Sequence, residues 1–175
     1  SDRRSAEATK VPEKAAHPEV AVEQRTKQLP PYRVLLHNDD VNTFEQTLAA
    51  YEGDRMVYAT LVSSGLPQWS TDPGLFRVYM KVRQAKMSGR DGLPDYYYLD
   101  DVPWTVYFNA DMALHAAYWH DKFGFKHSHG CVNLPPADAR WIYEWTTPAP
   151  GDSNWTVVPD RRNNDIGTWV WVHAG

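Results

Sequence analysis

From Tyr32 onward hydrophobic and polar residues alternate over most of the chain, whereas residues 1–31 show neither alternation nor a helical stripe. That first stretch holds no aromatic side chain and mixes Glu, Lys, Ala and Pro. It has too little to bury to offset the entropy of ordering it, so a disordered tail is expected. After it, RVLLHN reads as a strand and DDVNT as a turn, and FEQTLAAYEGDRMVYATLVSSG as two strands around Glu52-Gly53-Asp54. Between Gly74 and Gln84, Phe76, Val78, Met80 and Val82 alternate with Arg77, Tyr79, Lys81 and Arg83. Period two over that length predicts a single half-buried strand with its charges on the wet face.

The run YYYLDDVPWTVYFNADMALH predicts a pair of strands broken at Pro103, and AAYWHDKFGFKHSHGCVN a long irregular connection. Loops of that length inside a compact domain usually carry function. PPADARWIYEWTT reads as a helix: prolines suit a first turn, and Trp141, Ile142 and Trp145 make an apolar stripe. GTWVWVH closes the chain as a last strand. Many short strands, one clear helix and no internal repeat predict a mostly β domain.

Composition adds little to the fold and more to the function. At 175 residues a single core is expected. Eight Trp and ten Tyr are enough to line an aromatic groove as well as pack a core. A net charge of -4 with no long run of Lys and Arg argues against nucleic-acid binding. No apolar run approaches the roughly 20 residues of a membrane span. Cys131 is the only cysteine, so an internal disulfide is excluded and the cysteine count does not fix the compartment.

That cysteine sits in KHSHGCVNL, in one loop with His115, His120, His127 and His129. Three chemistries are open to it: a nucleophile, a metal ligand or an inert buried thiol. Acyl transfer needs a thiolate, a base and donors for the oxyanion. Gly130 lets the backbone turn sharply beside Cys131, and the helix start at Pro135-Pro136 would modestly favour a thiolate. Zinc also takes His and Cys, but there is no C-x-x-C and no H-E-x-x-H, so no metal and no cofactor are expected. His115 and His129 are both candidates for the base, and these arguments do not choose between them.

Ser128-His129-Gly130-Cys131-Val132-Asn133, preceded by Leu114-His115 and Tyr118-Trp119-His120, resembles the signature of the YkuD-type L,D-transpeptidases. The resemblance runs from near Phe44 to the end, through Gln46-Thr47-Leu48, Tyr51-Glu52-Gly53-Asp54, Val62-Ser63-Ser64-Gly65 and Pro73-Gly74-Leu75-Phe76. Thr71-Asp72-Pro73-Gly74 departs from the usual spacing, and Ala116 stands where glycine is common. The resemblance implies a β-sandwich catalytic domain over 44–175 with one or two short helices, acting on peptidoglycan stem peptides in the periplasm or cell wall. It implies Cys131 as nucleophile, His115 as base and later acid with its imidazole oriented by a backbone carbonyl near Ala116, and His129 near the reaction centre. The N–H groups of Gly130 and Cys131 would form the oxyanion hole, with Ser128 and Asn133 holding the loop. The product would be a 3→3 cross-link, and carbapenem-type β-lactams would inhibit. The Tyr96-Tyr97-Tyr98 run, Tyr98 above all, and Trp104, Tyr118 and Trp119 would wall the groove. Hydrolysis by the same site, an L,D-carboxypeptidase, is the alternative enzyme reading.

Leu29 to Glu45 resembles instead the opening of ClpS-type adaptors, which bind N-degrons. Asn38 and Asp39 match its amino-group-binding segment. Seventeen residues cannot build that pocket, so 32–43 is treated as a strand and turn without assigned function, and a non-catalytic peptide-binding module is the rival class.

Overall fold

In a computed structural model the described residues are 38–175, apart from 90, 91, 93–95, 152–154 and 164. The expected tail and the RVLLH part of the first expected strand lie outside them. Two five-stranded sheets face each other. One has the order β3-β2-β1-β10-β4, from β1 (Asn38–Asn42), β2 (Thr47–Glu52), β3 (Arg55–Leu61), β4 (Gly74–Arg77) and β10 (Trp169–His173). The other has the order β8-β7-β6-β5-β9, from β5 (Met80–Gly89), β6 (Tyr97–Asn109), β7 (Met112–Ala116), β8 (Val132–Leu134) and β9 (Thr156–Val157). The expected mostly β sandwich is what forms. Between the sheets lie Val41, Leu48, Val170 and Val172 from the first and Val106, Phe108, Leu114, Val132 and Leu134 from the second.

The expected helix is α1 (Pro136–Trp145). It buries Ala139, Ile142 and Tyr143, with Trp141 and Trp145 packed at the margin of the core. Asp138 in its first turn accepts from Tyr58 Oη at 2.8 Å and from the Thr60 hydroxyl, tying the helix to β3. Trp141 stacks on Tyr58 with ring centroids 4.1 Å apart.

Four expectations change. The DDVNT stretch is not a turn: its first four residues complete β1, a central strand paired parallel to β10 and antiparallel to β2. Two flanking ladders outweigh the poor strand propensity of Asn and Asp. The turn comes after it, where Asn42 Oδ1 accepts the N–H groups of Phe44 and Glu45, each at 3.0 Å.

The strand expected from Gly74 to Gln84 is two strands in different sheets. The chain crosses between them at Val78, whose N–H donates to Thr168 O at 2.8 Å while Tyr79 N–H donates to Tyr107 O at 3.0 Å. Past the crossing, Lys81 points inward rather than to water, since it pairs with core-facing Val106.

Pro103 does not break the chain into two strands. β6 runs through it, at a point where β6 has outrun β7 and keeps only β5 beside it, next to a register shift. Proline is tolerated in such a place. The break falls instead at the Ala110-Asp111 turn between β6 and β7. Finally, the irregular connection from Ala117 to Cys131 ends sooner than expected, because Val132 begins β8.

Candidate active site

The parallel pairing of β7 with β8 sets the site. Leu114 lies against Val132 and both are buried on the core face, so His115 and its partner Asn133 occupy the opposite face. One step before Val132, Cys131 returns to the His115 face. There it meets Ala113, whose N–H is turned to the sulfur, and its S–H points at Asp111 O, 3.7 Å away. Tyr107, which pairs with Ala113, shares this face.

His115 is buried, and its Nδ1 lies 3.0 Å from Ala116 O. The only group there that can donate is Nδ1–H, so Nε2 carries the lone pair. Burial, aided by the charge of His120 and opposed by the Ala116 carbonyl, lowers the His115 pKa to about 4. Burial likewise pushes the Cys131 thiol up to about 11, with Asp111 adding to the rise and the Ala113 N–H opposing it. The modest help expected from the helix start is outweighed by desolvation. At neutral pH both groups are therefore uncharged.

The loop around Cys131 is held by its own polar groups. Ser128 Oγ accepts Gly130 N–H at 3.1 Å and donates to Cys131 O. Gly130 has φ 122, where an L side chain is strained. The segment 62–66 clasps the loop from below. Ser63 and Asn133 exchange N–H···O bonds of 2.9 Å, and Leu66 N–H donates to Ser128 O at 2.9 Å. Thr71, 5% exposed, joins the two: Oγ1 accepts Gly65 N–H at 3.0 Å and donates to Gly130 O at 2.8 Å.

The histidines divide by place. His129 is sandwiched between the rings of Trp69 and Tyr97, with centroids 4.3 and 4.8 Å away. His120 lies beneath the connection: Nδ1 accepts Lys122 N–H at 3.1 Å, and Nε2 is 2.9 Å from the Asn133 side-chain amide. His127 meets His120 edge to face at 4.5 Å. Among the described residues no three His, Cys, Asp or Glu side chains converge as metal ligands.

Of the expected groove residues, Trp119 flanks His115 with centroids 5.8 Å apart, and Tyr118 packs edge-on against Trp119 and donates to Asp100 O at 2.9 Å. Tyr98 is exposed and donates to Asp100 Oδ1 at 2.9 Å. Trp104 lies elsewhere, packed on Tyr143 of α1 with Arg140 over its ring. The aromatic groups that gather at the sulfur are Tyr79, Tyr97 and Tyr107. Each phenol pKa is raised, first by burial; the charge a thiolate would place at Cys131 comes next for Tyr97 and Tyr107, and after that of Asp111 for Tyr79. Tyr97 belongs to the tyrosine run; Tyr79 and Tyr107 were hidden in strand alternation, and Thr71 carried no signal beyond its nearness to Pro73-Gly74.

Two facing sheets, a cysteine at a strand start and a buried histidine on the adjacent strand define a β-sandwich that brings one Cys and one His to the same sheet face. A family model for the YkuD L,D-transpeptidase catalytic domain matches residues 40–172, and the chain belongs to that family. The match begins inside β1, four residues before the expected boundary at Phe44. Protein YciB of Bacillus subtilis (strain 168) is 29% identical over 119 residues, covering 60% of this chain and 58% of YciB. Among solved structures, an L,D-transpeptidase from Mycobacterium smegmatis superposes with TM-score 0.65 at 21% identity, over 79% of this chain and 59% of that one. L,D-transpeptidase 3 from Mycobacterium tuberculosis, in complex with a faropenem-derived adduct, gives TM-score 0.63 at 22% identity, over 79% and 60%. The chain thus spans less than two thirds of the length of each of these relatives. Within the adaptor-like stretch Asn38 to Asn42 serve as β1, and the family match already begins at residue 40. No helix among the described residues is long and apolar enough to cross a membrane.

Proposed function

We propose that this domain is a peptidoglycan L,D-transpeptidase that forms 3→3 cross-links through an acyl-enzyme on Cys131, acting outside the cytoplasm where that polymer lies. One observation carries the reading: β7 and β8 set Cys131 and His115 on one sheet face, with His115 Nδ1–H held by Ala116 O so that Nε2 is the basic atom. His129, stacked between two rings, belongs to the wall beside the sulfur and not to the proton path.

The chemistry follows from the charges. Transfer of a proton from a thiol near 11 to an imidazole near 4 is uphill by on the order of 10 kcal/mol. Both shifts oppose a resting ion pair, and the transfer accompanies attack. The thiol proton passes to His115 Nε2 as sulfur bonds the carbonyl carbon of the diamino acid at position three of a tetrapeptide stem, and the carbonyl π electrons move onto oxygen. Collapse breaks the C–N bond, and the departing D-alanine amine takes the proton from His115. An amine of a neighbouring stem then attacks the thioester, gives its proton to His115 and expels sulfur, which His115 reprotonates. Gly130 N–H is committed to Ser128, so Cys131 N–H is the oxyanion donor of that pair. A β-lactam of the carbapenem type reacts by the same attack, its ring C–N bond opening without loss of a fragment. The faropenem-derived adduct in the Mycobacterium tuberculosis structure supports reactivity towards β-lactams in general.

The test is intact mass after incubation with a carbapenem and, separately, with a tetrapeptide-stem donor, for wild type and Cys131→Ala. A carbapenem adduct of full inhibitor mass in wild type alone is expected. A folded wild type that takes no adduct, or an equal adduct in Cys131→Ala, would sink the reading. Product analysis with and without an acceptor amine then separates cross-linking from hydrolysis.

A further inference from the structure

We infer that Thr71 is a positioning residue for acyl transfer: its hydroxyl fixes the orientation of the Gly130-Cys131 peptide group and thereby the direction of the Cys131 N–H. The inference rests on the acyl-enzyme reading above and adds to it a residue outside the cysteine motif.

A trans peptide is planar, with C=O and N–H pointing in opposite directions, so anchoring one end aims the other. Thr71 Oγ1 donates to Gly130 O at 2.8 Å, which turns the Cys131 N–H away from Thr71. Neighbouring peptide groups are occupied too. Gly130 N–H goes to Ser128 Oγ, and Ser128 Oγ donates to Cys131 O. Gly130, at φ 122, is intrinsically permissive, so without such anchors this peptide group could rotate.

Thr71 is itself held. Its Oγ1 accepts Gly65 N–H at 3.0 Å, and its side chain is buried. The turn that delivers it, Leu66 to Ser70, folds tightly over Gly65, and a Cβ built on Gly65 would lie 2.0 Å from Trp69 O and 2.7 Å from Thr71 N. The 3-10 turn Pro67–Trp69 closes with Trp69 N–H donating to Leu66 O at 2.9 Å. The hydroxyl is one donor and one acceptor used in opposite directions, a role serine can fill and valine cannot.

The experiment compares Thr71→Val and Thr71→Ser with wild type in two reactions at Cys131. Acylation by a carbapenem builds charge on a carbonyl oxygen and needs the Cys131 N–H. Alkylation by iodoacetamide forms a C–S bond as iodide leaves, and builds no oxyanion. Loss or misplacement of one such donor typically costs about 10²-fold in rate. Thr71→Val is expected to acylate about 10²-fold more slowly while alkylating within a few-fold of wild type, and Thr71→Ser to recover most of the acylation. If valine prevents folding, Thr71→Ala, which leaves room for a bridging water, takes its place with a smaller loss expected. Equal acylation in all variants, or parallel loss of acylation and alkylation, overturns the inference and leaves the acyl-enzyme reading intact. A wild type that alkylates but never acylates overturns both.

Discussion

Replacing Lys81 by methionine measures what an interior charge costs this fold. Lys81 is 0% exposed; its Nζ donates to Thr146 O at 2.6 Å and to Pro148 O at 2.8 Å, and lies 4.7 Å from the centroid of the Tyr143 ring. Burial lowers its pKa from 10.5 to about 7, against the pull of Asp39 and Asp165. Between those values the unfolded chain holds a proton on Lys81 that the folded one has lost, so the Lys81 contribution to stability rises with pH across the window. At about 1.4 kcal/mol per pH unit, the penalty below pH 7 is on the order of 5 kcal/mol, and it is gone by pH 10.5. Methionine nearly preserves the volume and removes the charge, but leaves two interior carbonyls without their donor, at about 1–3 kcal/mol each. The two effects roughly cancel at neutral pH, consistent with the general finding that buried charges are often replaced at little cost.

Asp39 sharpens the contrast. It is fully buried, and burial raises its carboxyl to about 8 in spite of Lys81. Without Lys81 it would hold its proton to still higher pH, and the variant would lose stability as pH rises. Urea unfolding of both proteins at pH 7 and at about pH 9.5 is the assay. The expected result is near equality at pH 7 and a variant weaker by about 3 kcal/mol or more at the higher pH. A difference that stays the same at both pH values refutes the account of Lys81 as an interior group with a lowered pKa.

Two further outcomes follow from the site. With His115 near 4 and Cys131 near 11, the acylation rate is expected to stay level from about pH 5 to pH 9 and to fall only as pH drops through about 4, when His115 gains a proton; an acid limb centred near 6.5 would refute the neutral pair. Circular dichroism over the same range separates this from unfolding, because a lowered histidine also removes stability as pH falls from 6.5 towards 4. Gly65→Ala is expected to lower the melting temperature and to slow acylation, since its Cβ would meet backbone at 2.0 Å, whereas Gly53→Ala, with nothing within 4 Å, pays only for its positive φ and leaves acylation unchanged.

The sequence by itself determined what local pattern and local chemistry can carry. Period-two runs located β2, β3 and β10, the apolar stripe located α1, and the Ser-His-Gly-Cys segment marked the candidate loop, because each of these is written in neighbouring residues. It did not determine which sheet a strand joins. Gly74 to Gln84 keeps its alternation through Val78, yet the chain changes sheets there and turns Lys81 inward, a switch decided by pairing with Thr168 and Tyr107. Asp39 and Asp40 read as a turn because propensity is local, while their strand is imposed by ladders to residues 47–51 and 169–173.

The same division runs through the site. Residue spacing alone left His115 and His129 as equals, and the family resemblance favoured His115 as the base. Only the parallel register of β7 and β8, with the Ala116 carbonyl at Nδ1, distinguishes a buried histidine with a defined lone pair from one stacked between Trp69 and Tyr97. Thr71, Tyr79 and Tyr107 come to the loop from 24 to 60 residues away in the chain, and no spacing rule connects them to it. Chemical identity is a property of the residues, but proximity, burial and the direction of a hydrogen bond belong to the packed chain, and only through those do Cys131 and His115 share one face.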